Sequence, residues 1–266
     1  MDDGSMAGFR WIESPPGHFY ADPWLVNSAG KIWLFFEDFV YVKDRGAIAC
    51  AEVLPDGRIG TPYTVLLRDY HLSYPCVFEY GGEHYMVPES KTTGAVELYR
   101  AKRFPYEWEM ATVLFRGKAV DTTVWVNGNR CWFFVTVVGE RGVGSTLLLF
   151  SSNCPMGKWT YHPANPISTD VRTVRSAGAV FRRDGKLYRA SQDCSIGYGS
   201  SFTLHEITSW SDTEYTERPA LTVDASWFQG TGSHTYARCE GMEAVDGKIA
   251  ESGANRLVPA DFFPAA

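Results

Sequence analysis

The chain has 266 residues, 25 basic against 31 acidic side chains for a net charge of −6, and 15% aromatics. That length buries a sizeable core and lies at the upper end of what an all-β fold spans as one domain. With no basic run, a nucleic-acid footprint is excluded and anionic lipid is disfavoured, so a neutral or cationic small molecule is the expected ligand.

The N-terminus "MDDGSMAGFR" is acidic and lacks a hydrophobic h-region, and residues 1–7 read as a disordered or tag-like start. No apolar run approaches the ~18 residues of a membrane span, so membrane insertion is not expected. Six cysteines (Cys50, Cys76, Cys131, Cys154, Cys194, Cys239) form no C-x-x-C pair, so neither a zinc knuckle nor a redox motif is visible. Free thiols in a reducing compartment follow, and with them a cytoplasmic protein with no metal and no cofactor.

Period-2 alternation and Gly, Asp and Asn turns run from residue 8 onward, with no long stretch of 3.6 periodicity, which predicts an all-β chain. The elements recur. "GFRWIE" at 8–13 is a lone strand, followed by hairpins starting at Asp22, Tyr74, Asp121 and Ala177. In each hairpin an aromatic stands eleven residues after the start: Trp33, Tyr85, Trp132 and Tyr188. A turn glycine stands eight residues after it in three copies, as Gly30, Gly82 and Gly185, with Asn129 in the other.

Third strands follow at "GAIACAEV", "GAVELYRA", "GSTLLLFS" and "SSFTLHEI", and fourth strands at "PYTVLL", "EMATVLF", "PISTDV" and "PALTVDA". A weaker fifth copy begins at Gly232, with Gly247 as its turn glycine and "NRLVP" as its third strand. Its missing fourth strand is available as residues 8–13. Units of roughly 50 residues and four strands predict a five-bladed β-propeller over 8–266, closed by the N-terminal strand. A two-sheet sandwich gives no reason for copies in register.

In a propeller the first strand of each blade lines the central channel, so the leading positions converge on one mouth. These are Asp22, Ser73 with Tyr74, Asp121, Ser176 with Ala177, and Ser233 with His234. A lone aspartate before a strand is usually a turn former. Two at equivalent positions, Asp22 and Asp121, argue for a shared pocket. A second acidic series sits on the return strands: Glu37 and Asp38 in "FFEDF", Glu89 in "HYMVPES", Asp193 in "ASQDC". Burial of Glu89 in an apolar strand would favour its protonated form, whereas an arginine partner such as Arg100 or Arg175 would make it structural. Tyr20, His71, Tyr74, Arg175, Gln192, Asp193 and His234 complete the candidate ligand-binding set. Nucleophile-elbow, Walker, dinucleotide and H-E-x-x-H patterns are absent.

The strings "FYADPWLV", "LFFED", "HLSYPCVFEYGGEHYMVPES", "AVDTTVW", "RSAGAVFRRDGKLYRASQDCS" and "GSHTY" resemble the five-bladed propellers related to glycoside hydrolase family 43. Within that group they are most similar to the propeller at the N-terminus of glucosamine inositolphosphorylceramide transferase and its bacterial relatives. The resemblance runs from Phe19 to Asp246. It implies Asp22 as general base and Asp121 as the aspartate that tunes and orients the acid. The family's acidic glutamate has no counterpart in "VRSAGAV", leaving Glu89 or Asp193 as substitutes. The expected function is a glycoside hydrolase-like enzyme using carboxylate acid/base chemistry on a sugar or similar hydroxylated molecule. A non-hydrolytic carbohydrate-binding propeller and a propeller repurposed as an isomerase or cyclase are the alternatives.

Overall fold

The computed structural model describes residues 8–139, 144–228, 230–249 and 255–259. The reading of residues 1–7 lies outside them. The fold is an all-β propeller. Sheet one holds β1 (His18–Ser28), β2 (Lys31–Val40), β3 (Arg45–Val53) and β4 (Tyr63–Leu66). Sheet two holds β5 (Ser73–Tyr80), β6 (Glu83–Glu89), β7 (Ala95–Arg103) and β8 (Glu107–Arg116). Sheet three holds β9 (Ala119–Asn127), β10 (Arg130–Val137), β11 (Thr146–Ser152) and β12 (Thr160–Tyr161). Sheet four holds β13 (Arg175–Ser176), β14 (Phe181–Arg183), β15 (Lys186–Asp193), β16 (Ser201–Trp210) and β17 (Tyr215–Asp224). The last sheet is β18 (Tyr236–Cys239), β19 (Met242–Lys248) and β20 (Asn255–Pro259). Its pairings, like all the others, are antiparallel.

Among the described residues four sheets thus carry four or more strands, and the fifth copy carries three. Residues 8–13 form no continuous strand among the described residues, although Phe9 and Ile12 each make an isolated bridge. In sheet three the fourth strand is Thr160–Tyr161, with "PISTDV" reduced to a single bridge from Ser168 to Leu147. The fifth-copy turn also differs from expectation. It is made by Glu240 and Gly241, both at positive φ, while Gly247 lies inside β19.

Apolar side chains fill the gaps between neighbouring sheets. Trp24 and Phe35 pack with Tyr99, Val124 and Phe133, joining sheets one to three. Trp132 and Phe134 meet Ile207 and Tyr215 of sheet four, and Phe181 and Phe202 meet Tyr236 of the last sheet. Tyr20, Leu34 and Phe36 then pack on Ala237 and Met242, so the last sheet stands between the fourth and the first. Three of the recurring aromatics, Trp33, Tyr85 and Trp132, are buried in these seams. Each large side chain so buried contributes about 1.5–3 kcal/mol.

Buried pairs stiffen the seams further. Arg189, fully buried, donates through Nε to Glu217 at 2.8 Å and draws its carboxyl down to about 2 against the effect of burial. All six cysteines are free, with Cys50, Cys76 and Cys131 buried. Among the described residues no helix is long and apolar enough to cross a membrane.

Candidate functional site

The first strands of sheets one, two and three each break register at the same place. The breaks fall between Ala21 and Trp24, between Ser73 and Cys76, and opposite Phe134–Thr136 on β10. The first bulged residue in each is left-handed: Asp22 at φ 54°, Tyr74 at 44°, Asp121 at 49°. Such a φ costs a non-glycine residue about 1–2 kcal/mol, so surrounding structure must hold it. It also turns the N–H out of the ladder, toward a carboxylate of the preceding sheet. Asp22 donates to Asp246 Oδ2 at 3.4 Å, Tyr74 to Asp22 Oδ2 at 3.0 Å, and Asp121 to Glu89 Oε2 at 3.2 Å. In sheet four the left-handed residue is Gly178, whose N–H donates to the Tyr74 hydroxyl at 2.7 Å. There a Cβ would meet the Tyr236 carbonyl oxygen at 1.9 Å, so glycine is required. Bulges recur beside active sites because they re-aim a residue without ending a strand.

One cluster forms around Asp22. Its Oδ1 accepts from Thr235 Oγ1 at 2.9 Å and lies 3.4 Å from His234 Nε2. On the other side of the ring, His234 Nδ1 is 2.7 Å from Asp246 Oδ2. Burial alone would push His234 down; the Asp246 carboxylate, with Asp22 behind it, outweighs that and raises it to about 9. Asp22 is raised by burial, which His234 opposes and Asp246 and Asp121 reinforce. Asp246 is lowered, since His234 overcomes the effect of burial. Ligand atoms of Asp22, His234 and Asp246 lie within 4.8 Å of one another, a spacing a metal ion could use.

A second cluster forms around Asp121. Arg175 grips it with two bonds, Nε to Oδ2 at 2.6 Å and Nη2 to Oδ1 at 3.1 Å. The guanidinium also lies 4.8 Å from the ring centroid of Tyr198. Glu89, half-buried at the edge of this pair, is pushed up to about 8 by burial and then by Asp121, with Arg175 opposing. Glu37 occupies the same register position in sheet one: Ala21 faces Glu37 as Ser73 faces Glu89. Burial pushes Glu37 well up, and Asp22, Glu89 and Asp246 add to it. Its Oε1 is buried without a hydrogen-bond donor, and His71 Nε2 stands 3.5 Å away. His71 is fixed at Nδ1 by the Gly46 N–H at 2.9 Å.

The structure therefore gathers Asp22, Asp121, Glu89, Glu37, His71, Arg175 and His234. It places other candidates elsewhere. Tyr20 is core, packed on Phe36 with ring centroids 4.5 Å apart. The Tyr74 ring is buried across the channel, its hydroxyl bonded to Thr123 at 2.8 Å as well as to Gly178. Gln192 is fully buried and donates to the Ser176 carbonyl at 2.9 Å. Asp193 caps its own loop by accepting from the Ser195 N–H at 2.9 Å. Its carboxylate is thus engaged in shaping the Cys194–Ser200 loop.

Three residues of the site have no counterpart in the sequence reading: Asp246, Thr235 and Tyr198. With Gly247 assigned to a turn, Asp246 looks like an exposed turn residue, whereas it is buried in β19. Recognising Glu240–Gly241 as the turn would have placed it in the channel. Tyr198 lies in the loop between β15 and β16, outside the repeat. It is 66% exposed, stands 5.2 Å from the His234 ring, and borders two cavities. One, of about 90 Å³, is lined by Ala21, Gly232, His234 and Asp246; the other, of about 400 Å³, by Ser145, Thr169, Val171, Arg175 and Cys194.

Known proteins share this architecture. A solved glycoside hydrolase superposes with a TM-score of 0.72 at 13% identity, covering 100% of this chain and 94% of its own. The GH43 endo-arabinanase from Bacillus licheniformis gives 0.61 at 14% identity over 97% of this chain and 98% of its own. The catalytic domain of the Coprinopsis cinerea GH62 α-L-arabinofuranosidase gives 0.67 at 15% identity over 95% and 97%. At such identities the likeness concerns the fold. In sequence, the chain is 36% identical to glucosamine inositolphosphorylceramide transferase 1 of Arabidopsis thaliana over 208 residues, 76% of this chain. It is 34% identical to the Oryza sativa subsp. japonica protein of that name over 209 residues, 77% of this chain. It spans only 27% and 28% of the length of those relatives. The family profile of glucosamine inositolphosphorylceramide transferase 1, N-terminal, matches residues 11–244, and the chain belongs to that family.

Proposed function

We propose that the chain is a glycoside hydrolase-like enzyme acting on a sugar or similar hydroxylated molecule in the channel mouth, within a five-bladed ring whose last blade residues 8–13 help to complete. One observation carries this reading: one mouth brings together Asp22, with His234 Nε2 3.4 Å from its Oδ1, and Glu89, whose carboxyl is pushed up to about 8 by burial and Asp121, the protonated state an acid needs at neutral pH. Asp22 takes a proton from a water whose oxygen attacks the anomeric carbon. Glu89 gives its proton to the departing glycosidic oxygen. Asp121, clamped by Arg175, orients the acid through its backbone N–H, and His71, His234 and Tyr198 line the ligand.

A non-hydrolytic carbohydrate-binding propeller is the second reading. The carboxylates' bonds to backbone N–H groups give them a structural reason to exist, and Ser176–Ala177 supplies no acid in sheet four. The family's longer relatives, named as transferases, leave room for such a module beside another domain.

A panel of 4-nitrophenyl glycosides, followed by calorimetry with the parent sugars, separates the two. The hydrolase reading expects turnover that falls about 10²–10⁴-fold in Asp22→Asn with little change in Tm. A fully active variant contradicts the role of Asp22. Sugar binding without turnover favours the module, and neither binding nor turnover opposes both.

A further inference from the structure

A net charge of −6 disfavours anionic surfaces for the molecule as a whole, but the charge is divided unevenly between its two ends. His18 pairs with Val40 and Val40 with Arg45, so β1 starts, β2 ends and β3 starts at the channel mouth. The same antiparallel order puts the segments 67–72, 90–94, 117–118, 169–174 and 194–200 at that end. The connections after β1, β7, β9 and β16 lie at the other.

At the far end the bases are matched. Lys31 pairs with Glu52 at 3.0 Å, Arg58 with Asp56 at 2.7 Å, Arg103 with Glu107 at 2.6 Å and Arg130 with Asp212 at 2.7 Å. Lys102, Lys158 and Arg182 make no ion pair with a described residue there, and Glu79, Glu214 and Glu240 at the same end balance them. The mouth differs. Lys43, Arg45, Lys91, Arg116, Lys118 and Lys248 make no ion pair with any described residue. Arg68 donates to the Leu67 carbonyl and the Tyr99 hydroxyl, not to a carboxylate. Of the acids on this rim, Asp170 is held by Arg172, Asp38 by His18 and Asp224 by Ser226, which leaves Asp44 and Asp69. Asp22, Glu37, Asp121 and Asp246 are buried beneath it.

The same rim carries Val42, 91% exposed, and Ile196, 90% exposed, more than any other large apolar side chain described. Leu67 and Val171 are exposed beside them. Each loop is braced by an aromatic neighbour: Tyr41 packs on Phe19 and Phe39 with centroids 5.7 Å apart, and Tyr198 covers Arg175 at 4.8 Å. The aliphatic residues are thereby held out in water. One such side chain alone needs no explanation. Two on sheets one and four, set among unpaired bases, match an anionic bilayer, whose headgroups take the cations while aliphatic tips enter the acyl boundary. A nucleic acid would use the bases but not Val42 and Ile196. A folded protein partner would call for a contiguous apolar core, and the last sheet separates these two residues.

We propose that the mouth face docks on an anionic lipid surface, with Val42 and Ile196 entering the interface and the basic ring on the headgroups. The channel then opens onto the headgroup layer. This does not depend on Asp22 being a general base.

The test is co-sedimentation of the full chain with vesicles of phosphatidylcholine alone or with about one-third phosphatidylserine, at low and high salt. The chain should bind the phosphatidylserine vesicles only, and less as salt rises. Lys91→Glu with Lys118→Glu should lower the partition coefficient at least about tenfold. Val42→Ser with Ile196→Ser should lower it about fivefold or more. Lys102→Glu with Lys158→Glu makes the same charge change at the far end and should alter it less than about twofold. All six positions are exposed, so these variants should keep the fold. A wild-type chain that does not bind phosphatidylserine vesicles at low salt overturns the proposal and leaves the face to a protein partner or a second copy. Equal losses from the mouth and far-end lysine pairs overturn it as a general charge effect. Unchanged binding in the Val42, Ile196 pair overturns it as adsorption without docking.

Discussion

The two clusters at the channel mouth solve the same electrostatic problem with different cations. Around Asp121 the cation is Arg175, bonded through two nitrogens and charged at any accessible pH. Around Asp22 it is His234, raised to about 9 against burial chiefly by the Asp246 carboxylate 2.7 Å from its Nδ1. A guanidinium makes a permanent anchor, whereas an imidazolium can be discharged. The anchored half suits a residue that orients, and the titratable half suits one that exchanges protons.

Removing each cation should expose this difference. Arg175→Met leaves Asp121 buried without its partner and should cost about 3–5 kcal/mol in urea unfolding at pH 7. His234→Gln should cost less, about 1.5–3 kcal/mol, because Asp22, already raised by burial, can take up a proton instead. Equal losses would mean that the clusters are not distinct in kind.

The His234 contribution should also depend on pH in a defined direction. Its folded value of about 9 lies above the ordinary 6.5, so the stabilisation is complete below about 6.5 and is lost as pH rises through 9. The gap between wild-type and His234→Gln stabilities should therefore shrink between pH 6.5 and pH 9.5, while the Arg175→Met gap should not close in step with it. Denaturation at several pH values checks both.

The smallest effect concerns Tyr198, which touches both halves. Tyr198→Ala removes a ring over a guanidinium at a largely exposed position and should cost about 0.5–1 kcal/mol. Tyr198→Phe should stay within about 0.5 kcal/mol. A much larger loss in Tyr198→Phe would give the phenol hydroxyl a role beyond the ring contact.

Much of this site can be read from internal repetition. Asp22, Tyr74 and Asp121 align because each opens a hairpin with an aromatic eleven residues later, and all three prove to be left-handed bulge residues. Glu37 and Glu89 share a register position for the same reason. The repeat is less informative where its spacing changes. The last sheet has its turn at Glu240–Gly241, so the pattern built on Gly247 hides Asp246. Tyr198 lies in an irregular loop whose path is set by Gly199 packing against His234, a contact between distant segments that no periodicity records. Tyr20 and Gln192 illustrate the opposite error: a position near the mouth does not say which side of the strand a side chain takes, and both are buried inward. The closing strand at 8–13 is apolar enough to be a strand but forms only isolated bridges.

The hydrolase reading requires a protonated acid in the same mouth as Asp22, and the protonation of Glu89 decides whether one is there. Titration of the ¹³C-labelled glutamate carboxyl signals, with Glu89→Gln and Glu37→Gln assigning the two abnormal resonances, should show Glu89 losing its proton near pH 8. A Glu89 signal that titrates at the ordinary value of about 4.5 would leave the mouth without this acid at neutral pH and would rule out Glu89 as proton donor.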